Sequence, residues 1–367
     1  MACIQIDQPI LTANITKMQA IADNAGVALR PHAKTHKSVA VARQQMDAGA
    51  VGLTVSKPAE ALPFMRAGIP SIKICYPVID PDAMHPVLTL AQQHQTEIIG
   101  TIDSPEGVTA LVQAAQDFDL TLPVFLEVNV GLDRCGVAAD SPALLDLAAA
   151  ITATPHLHLL GLTAHAGHAY GVDNRDAAAR IAEQERSTMM AAKQRLADQG
   201  IAITAISVGS TPSIWAQQDF TGITEIKPGN YVFNDLTQLN IGVIDWAQIA
   251  LTISATIISV NDRYMIINAG SKTLTSDLGP HGNQSITGHG LAFTADETPG
   301  QDPGRAVTKL SEEHGWIAHD GGTLPVGTAL TIYPNHSCPV VNLTDHLTIH
   351  DDSGQVDIWP VDARGTR

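Results

Sequence analysis

Short apolar runs alternate with longer stretches rich in Ala, Gln and Arg from about residue 26 to residue 230, the pattern of repeated strand–helix units. Candidate strands fall at 27–31, 51–56, 71–76, 97–103, 123–130, 157–165, 202–208 and 223–227. Helical stretches follow most of them, at 38–48, 59–67, 104–118, 141–153 and 174–199. Eight such units in succession predict a (β/α)8 barrel of TIM type rather than an open doubly wound sheet, and no Gly-rich dinucleotide fingerprint argues otherwise. From about residue 245 the texture changes to Thr/Ile/Val-rich runs punctuated by Gly and Pro, at 251–260, 264–268, 329–333 and 346–350, with a loop at 296–305. The predicted fold class is therefore α/β. A (β/α)8 TIM-type barrel over 8–240 is followed by a smaller, mainly β C-terminal domain over 241–367.

In a barrel of this kind the reactive groups gather at the C-terminal ends of the strands. The polar clusters of this chain fall there. His32 and Lys34 follow the first candidate strand, residues 129–134 the fifth, and residues 165–170 the sixth. Gly209, Ser210 and Thr211 follow the seventh, and residues 227–231 the eighth.

Charge narrows the partners. Lys and Arg number 21 against 37 Asp and Glu, a formal net charge of -16, which argues against nucleic acid and anionic membranes. A small-molecule partner fits better, and a local cluster such as Arg30, Lys34 and Arg134 can still reverse the field inside a cleft. The opening residues lack a basic segment followed by an apolar one, and no stretch reaches the ~18 apolar residues of a membrane span, so a cytoplasmic protein is expected. The four cysteines, Cys3, Cys75, Cys135 and Cys338, are scattered without CxxC spacing and suggest no disulfide framework.

The most informative segment is Arg30-Pro31-His32-Ala33-Lys34-Thr35-His36-Lys37. At strand period Arg30, His32 and Lys34 project from one face. A lysine held among basic neighbours has its protonated form disfavoured, which makes its amine a nucleophile able to form a Schiff base, and this points to pyridoxal phosphate. Spacing alone favours the plainer reading, with Lys34 and Lys37 as surface lysines opening a helix. A second motif lies far along the chain: Pro334-Asn335-His336-Ser337-Cys338-Pro339, followed by Val340, Val341, Asn342 and Leu343. His336 and Cys338 are one residue apart, so on a strand they share a face and can ligate one ion.

Together, and in this order, the two motifs resemble those of the D-serine dehydratase and D-threonine aldolase family. That family is the metal-assisted branch of the alanine-racemase-like, fold type III pyridoxal phosphate enzymes. The resemblance implies that Lys34 carries the cofactor, that His336 and Cys338 bind a divalent metal, and that residues 1–7 join the C-terminal β domain. Thiolate plus imidazole favours Zn2+, whereas a carboxylate in the second position would suit Mn2+ or Mg2+. The segments Gly209-Ser210-Thr211-Pro212 and Gly229-Asn230-Tyr231 resemble the family's phosphate-binding loops, and their backbone N–H groups and hydroxyls suit a phosphate dianion. Arg134 resembles the arginine that approaches the cofactor ring, although pairing with Asp133 at the surface is an alternative. His165 and Tyr170 resemble residues near cofactor and substrate, and a core role for His165 is the alternative. In the C-terminal part, Lys272, His281 and His289 are further candidates to reach the cleft.

The implied reaction is a lyase reaction on a β-hydroxy D-amino acid. Water is eliminated to give a 2-oxo acid and ammonia, as in D-serine or D-3-hydroxyaspartate dehydration. In the family, histidine-x-cysteine accompanies dehydratases and histidine-x-aspartate accompanies aldolases, so Cys338 favours dehydration. The alternative is a D-threonine or D-3-hydroxyaspartate aldolase that breaks Cα–Cβ. An amino-acid racemase and a non-catalytic pyridoxal phosphate carrier rank behind both. The resemblance also implies a homodimer.

Overall fold

A computed structural model describes residues 2–280 and 286–366. The chain begins with β1 (Cys3–Asp7) and a helix, Gln8–Ala25, before the first barrel strand. Asp7 starts that helix by accepting a hydrogen bond from the Ile10 N–H (3.0 Å), and Gly26, at φ 66°, ends it in the left-handed conformation that glycine adopts most readily.

Eight parallel strands follow: β2 (Ala28–Leu29), β3 (Leu53–Val55), β4 (Ser71–Ile74), β5 (Glu97–Ile102), β6 (Leu122–Asn129), β8 (Leu157–Thr163), β9 (Ala205–Val208) and β10 (Glu225–Ile226). Their order is β2-β10-β9-β8-β6-β5-β4-β3, and a parallel bridge between His32 and Thr54 joins the two ends of that order into a ring. A short β7 (Val137–Ala138) pairs beside the end of β6. Seven of the eight lie within runs read from the sequence, and β6 starts one residue before its run. Their apolar residues pack against the surrounding helices, while Lys73, Ser207 and Glu225 meet one another in the barrel interior.

Helices Pro58–Arg66, Pro105–Asp117 and Pro142–Thr152 all begin on proline, whose missing N–H is not needed in the first turn. The helix Arg175–Asp198 is capped by Asn174, which accepts from the Ala177 N–H (2.8 Å). No described helix is long and apolar enough to cross a membrane.

The remaining strands are β11 (Leu251–Val260), β12 (Tyr264–Ile267), β13 (Gly290–Phe293), β14 (Arg305–Leu310), β15 (Gly315–Ala318), β16 (Ala329–Pro334), β17 (His346–His350) and β18 (Val356–Pro360). β11, β12, β15, β14, β13 and β16 close into an antiparallel ring. β1 pairs with β11 on one side and β17 on the other, so the first residues of the chain are built into this second sheet. A TIM-like barrel followed by an antiparallel β domain is the fold that the patterning predicts.

Candidate active site

The segment 30–37 does not continue as a strand. β2 is only two residues long, and Lys34 lies on a 3-10 turn, Ala33–Thr35, rather than at strand period with Arg30. The sharing of one face by Arg30, His32 and Lys34 is therefore corrected. Arg30 turns into the barrel, where Nε donates to Glu225 Oε2 (2.7 Å) and Nη1 to Ser71 Oγ (2.7 Å). His32 is buried and its Nδ1 accepts from the Lys34 N–H (3.3 Å), which fixes the turn that presents Lys34. The two lysines separate clearly. Lys37 is tied to Glu60 (3.0 Å) and Asn342 (2.9 Å), whereas Lys34 makes no ion pair among the described residues.

Lys34 opens into a cavity of about 380 Å³ shared with His32, Arg134, Glu127, Cys135, Lys57 and Tyr76. A more open groove of about 900 Å³ along the N-terminal helix offers one lysine, Lys17, and lies beside Asp351 and Asp352. Only the first combines an amine, imidazole and guanidinium. Below it the barrel is filled by a charged network, in which Glu225 accepts from Arg30, Lys73 and Ser207 (2.7 Å). Burial alone would raise the Glu225 carboxyl, but Lys73 and Arg30 hold it at about 2. Burial pulls Lys73 down to about 8 against the attraction of Glu225.

Both imidazoles nearest Lys34 are kept neutral. His32 titrates well below its usual range because it is buried, with Lys34, His165, Lys227 and Lys73 adding repulsion. His165 is lowered for the same reason, with Lys34, Arg134 and Lys227 adding to burial. Its Nδ1 lies 3.2 Å from Gly209 O, which links the loop after β8 to the loop after β9. Glu185, on the long helix, accepts from the N–H groups of both Ala166 (3.0 Å) and Gly209 (3.2 Å).

Ser210 caps the short helix Thr211–Ala216 through a reciprocal pairing with Ser213, and its hydroxyl also donates to Ala166 O (3.0 Å). Facing it, the Tyr231 N–H donates to Thr211 Oγ1 (3.2 Å). Gly229 is required to be small: a Cβ there would meet His32 O at 2.9 Å, His32 Cβ at 3.0 Å and Thr35 Oγ1 at 3.1 Å. Tyr231 meets this loop through its backbone. Its side chain is fully buried in the core with its hydroxyl accepting from Gln45 Nε2 (2.9 Å), so only its backbone faces Thr211. Tyr170 is buried, its phenol pushed up by burial and by Cys338, with Thr211 in hydrogen-bonding contact.

Arg134 is exposed at the cavity and does not pair with Asp133, whose Oδ1 instead accepts from Asn129 Nδ2 (2.7 Å). His336 and Cys338 are not on a strand. His336 is the residue before the helix Ser337–Val341 and Cys338 lies in its first turn, so the strand-period argument is corrected although the two side chains do meet. Asp277 Oδ2 lies 2.9 Å from His336 Nδ1. Burial opposes a charge on His336, but Cys338, Asp277 and Asp235 raise it to about 10. Burial would raise the Cys338 thiol, yet His336 and Lys34 draw it below its usual range. Cys338 Sγ is 3.2 Å from Thr35 Oγ1 and 3.8 Å from Asn230 Nδ2, which brings the second motif against the Lys34 turn. Among the described residues no three His, Cys, Asp or Glu side chains converge as a metal site. Of the further candidates, Lys272 is exposed and paired with Glu313 (2.9 Å), and His281 lies outside the described residues.

Several groups here were not read from the sequence. Glu127, Lys73 and Glu225 each break an apolar strand, a signal that marks charges facing a barrel interior. Asp277 and Glu185 carry no such signal.

Comparison with known proteins agrees with this architecture. Residues 6–236 match the family described as alanine racemase, N-terminal domain, and residues 250–350 match the putative serine dehydratase domain. D-threo-3-hydroxyaspartate dehydratase of Delftia sp. (strain HT23) is 34% identical over 91% of this chain and 89% of its own. D-threonine aldolase of an Arthrobacter species is 32% identical over 98% of this chain and 91% of its own. The solved structure of the Delftia dehydratase superposes with a TM-score of 0.90 at 32% identity, covering 98% of this chain and 97% of that one. Another similar structure is that of a D-threo-3-hydroxyaspartate dehydratase cysteine-to-alanine variant described as metal-free. The chain belongs to the alanine-racemase-like, fold type III family of pyridoxal phosphate enzymes, on its branch of D-serine dehydratase and D-threonine aldolase lyases.

Proposed function

We propose that the protein eliminates water from a β-hydroxy D-amino acid, D-serine or D-3-hydroxyaspartate, to give a 2-oxo acid and ammonia. The observation that carries this reading is the Cys338–His336 pair, braced by Asp277 and set against the Lys34 turn. The cavity fits pyridoxal phosphate: an amine without an ion pair among the described residues, two neutral imidazoles, an exposed guanidinium and a nearby turn through Gly229. Lys34 would hold the aldehyde, segments 209–211 and 229–231 the phosphate, and Arg134 and His165 the ring region. When bound, the cofactor supplies an electron sink for the pair released at Cα.

The amine of Lys34, which makes no ion pair among the described residues, serves as the base at Cα. The two imidazoles stay neutral and so do not compete for that proton. The donor set also fits a cation. A histidine whose second nitrogen faces a carboxylate is oriented as metal-ligating histidines are, and thiolate with imidazole favours Zn2+. Such a cation, held by His336 and Cys338, would polarise the β-hydroxyl, a poor leaving group unaided. Tyr170 is buried with Cys338 and Thr211 near its phenol.

The test is an assay of the purified protein, supplied with pyridoxal phosphate and Zn2+, on D-serine, D-threonine and both D-3-hydroxyaspartate diastereomers. Equal yields of 2-oxo acid and ammonia are the expected result. Glycine without ammonia would instead select Cα–Cβ cleavage, the reaction for which the Arthrobacter relative is named.

A further inference from the structure

Glu127 is a carboxyl group that the reaction as described does not use. It sits near the end of β6, is 5% exposed, and lines both the Lys34 cavity and the small space behind it that reaches His165. Its Oε2 is enclosed without a hydrogen-bond partner, and the group makes no ion pair among the described residues. A buried carboxyl left unpaired is unfavourable, so an arrangement that supplies a partner is strongly preferred.

The partner of opposite charge in the same two spaces is Arg134. It too makes no ion pair among the described residues. The chain is built to bring them together. After β6 it loops outward and returns, with Gly136 at φ 92° lying so close to β6 that a Cβ would meet Asn129 N at 2.7 Å and the Glu127 carbonyl carbon at 3.1 Å. The Gly136 N–H is pinned to Asp103 Oδ2 (3.1 Å). Arg134, two residues before Gly136, is thereby held at the same two spaces as Glu127.

We propose that Glu127 is a positioning residue that receives the Arg134 guanidinium when the cofactor fills the cavity, and so fixes that arginine at the cofactor ring. This rests on the assignment of the cavity to pyridoxal phosphate. An exposed arginine without such an anchor would lose side-chain freedom on binding with little in return, whereas a charge-assisted pair in a partly desolvated cavity holds it in one orientation. Burial, with Asp103 adding to it against Lys227, Arg134 and Lys73, raises the Glu127 carboxyl to about 7, so the pairing is sensitive to pH near neutrality. Lys34 and His32 share the cavity and His165 the space behind it, and the imidazoles are neutral there.

The experiment is a double-substitution cycle read by the dissociation constant of pyridoxal phosphate from cofactor-stripped protein, followed by absorbance. Glu127→Gln and Arg134→Gln are each expected to weaken binding at pH 8 by on the order of tenfold, and the double variant by no more than the worse single. The affinity of the unsubstituted protein should rise with pH up to about 7 and then level. The Glu127→Gln protein should lack that rise. Losses that multiply, or an unchanged affinity in Glu127→Gln, overturn the proposal. Thermal unfolding of the stripped variants checks that each is folded. Failure of the unsubstituted protein to take up the cofactor overturns the site assignment, and the pairing with it.

Discussion

Replacing Glu225 by Gln removes one negative charge from the barrel interior while keeping the shape of the side chain. In the unsubstituted protein that carboxylate is the common partner of Arg30 and Lys73, and all three side chains are less than a tenth exposed. The substitution leaves two buried cations facing an amide. Breaking a buried pair by removing one partner typically destabilises by about 3–5 kcal/mol, because the remaining charge stays desolvated. At roughly 2 °C per kcal/mol for a large chain, the melting temperature should fall by about 5–10 °C. Thermal and urea unfolding at pH 7 provide the assay, since Glu225 is fully ionised there. A second substitution, Lys73→Met, removes one of the stranded cations and should restore part of the loss in the double variant. If Glu225→Gln unfolds within about 1 kcal/mol of the unsubstituted protein, the network is not what holds the floor of the cavity.

Two further substitutions probe the rim. Gly229→Ala places a methyl group 2.9 Å from His32 O, so the Lys34 turn must shift, and pyridoxal phosphate affinity measured by absorbance should fall at least tenfold. Asp277→Asn leaves His336 in place but removes the carboxylate at Nδ1. Zinc affinity measured by competition with a chelator should fall about 10–100-fold, and an unchanged value would separate Asp277 from metal binding.

The barrel was legible because eight apolar runs, each followed by turn chemistry, carry their own period. The strand at 28–29 is shorter than its run of apolar residues because Pro31 and the His32-capped turn end it. That also explains why Arg30 and Lys34 part company: the face argument needs a strand that the proline interrupts. The meeting of His336 with Cys338 was correct as a juxtaposition but not as geometry, since two residues apart can also meet where a strand passes into a helix. The N-terminal helix at 8–25 went unread, although Asp7 before Gln8-Pro9 is a serviceable start signal. Glu225 and Lys73 each interrupt an apolar run, but their pairing was beyond reach because the two lie on strands far apart in sequence. Asp277 illustrates the same limit, being a loop residue whose role depends entirely on where the His336 turn happens to fall.

The proposed reaction requires the half-buried amine of Lys34 to hold pyridoxal phosphate. Borohydride reduction of the cofactor-loaded protein, followed by peptide mapping by mass spectrometry, tests it most directly. A single pyridoxyl modification, located on Lys34, is the expected result. A modification on Lys57, Lys73 or Lys227 in its place, or none at all, would contradict it.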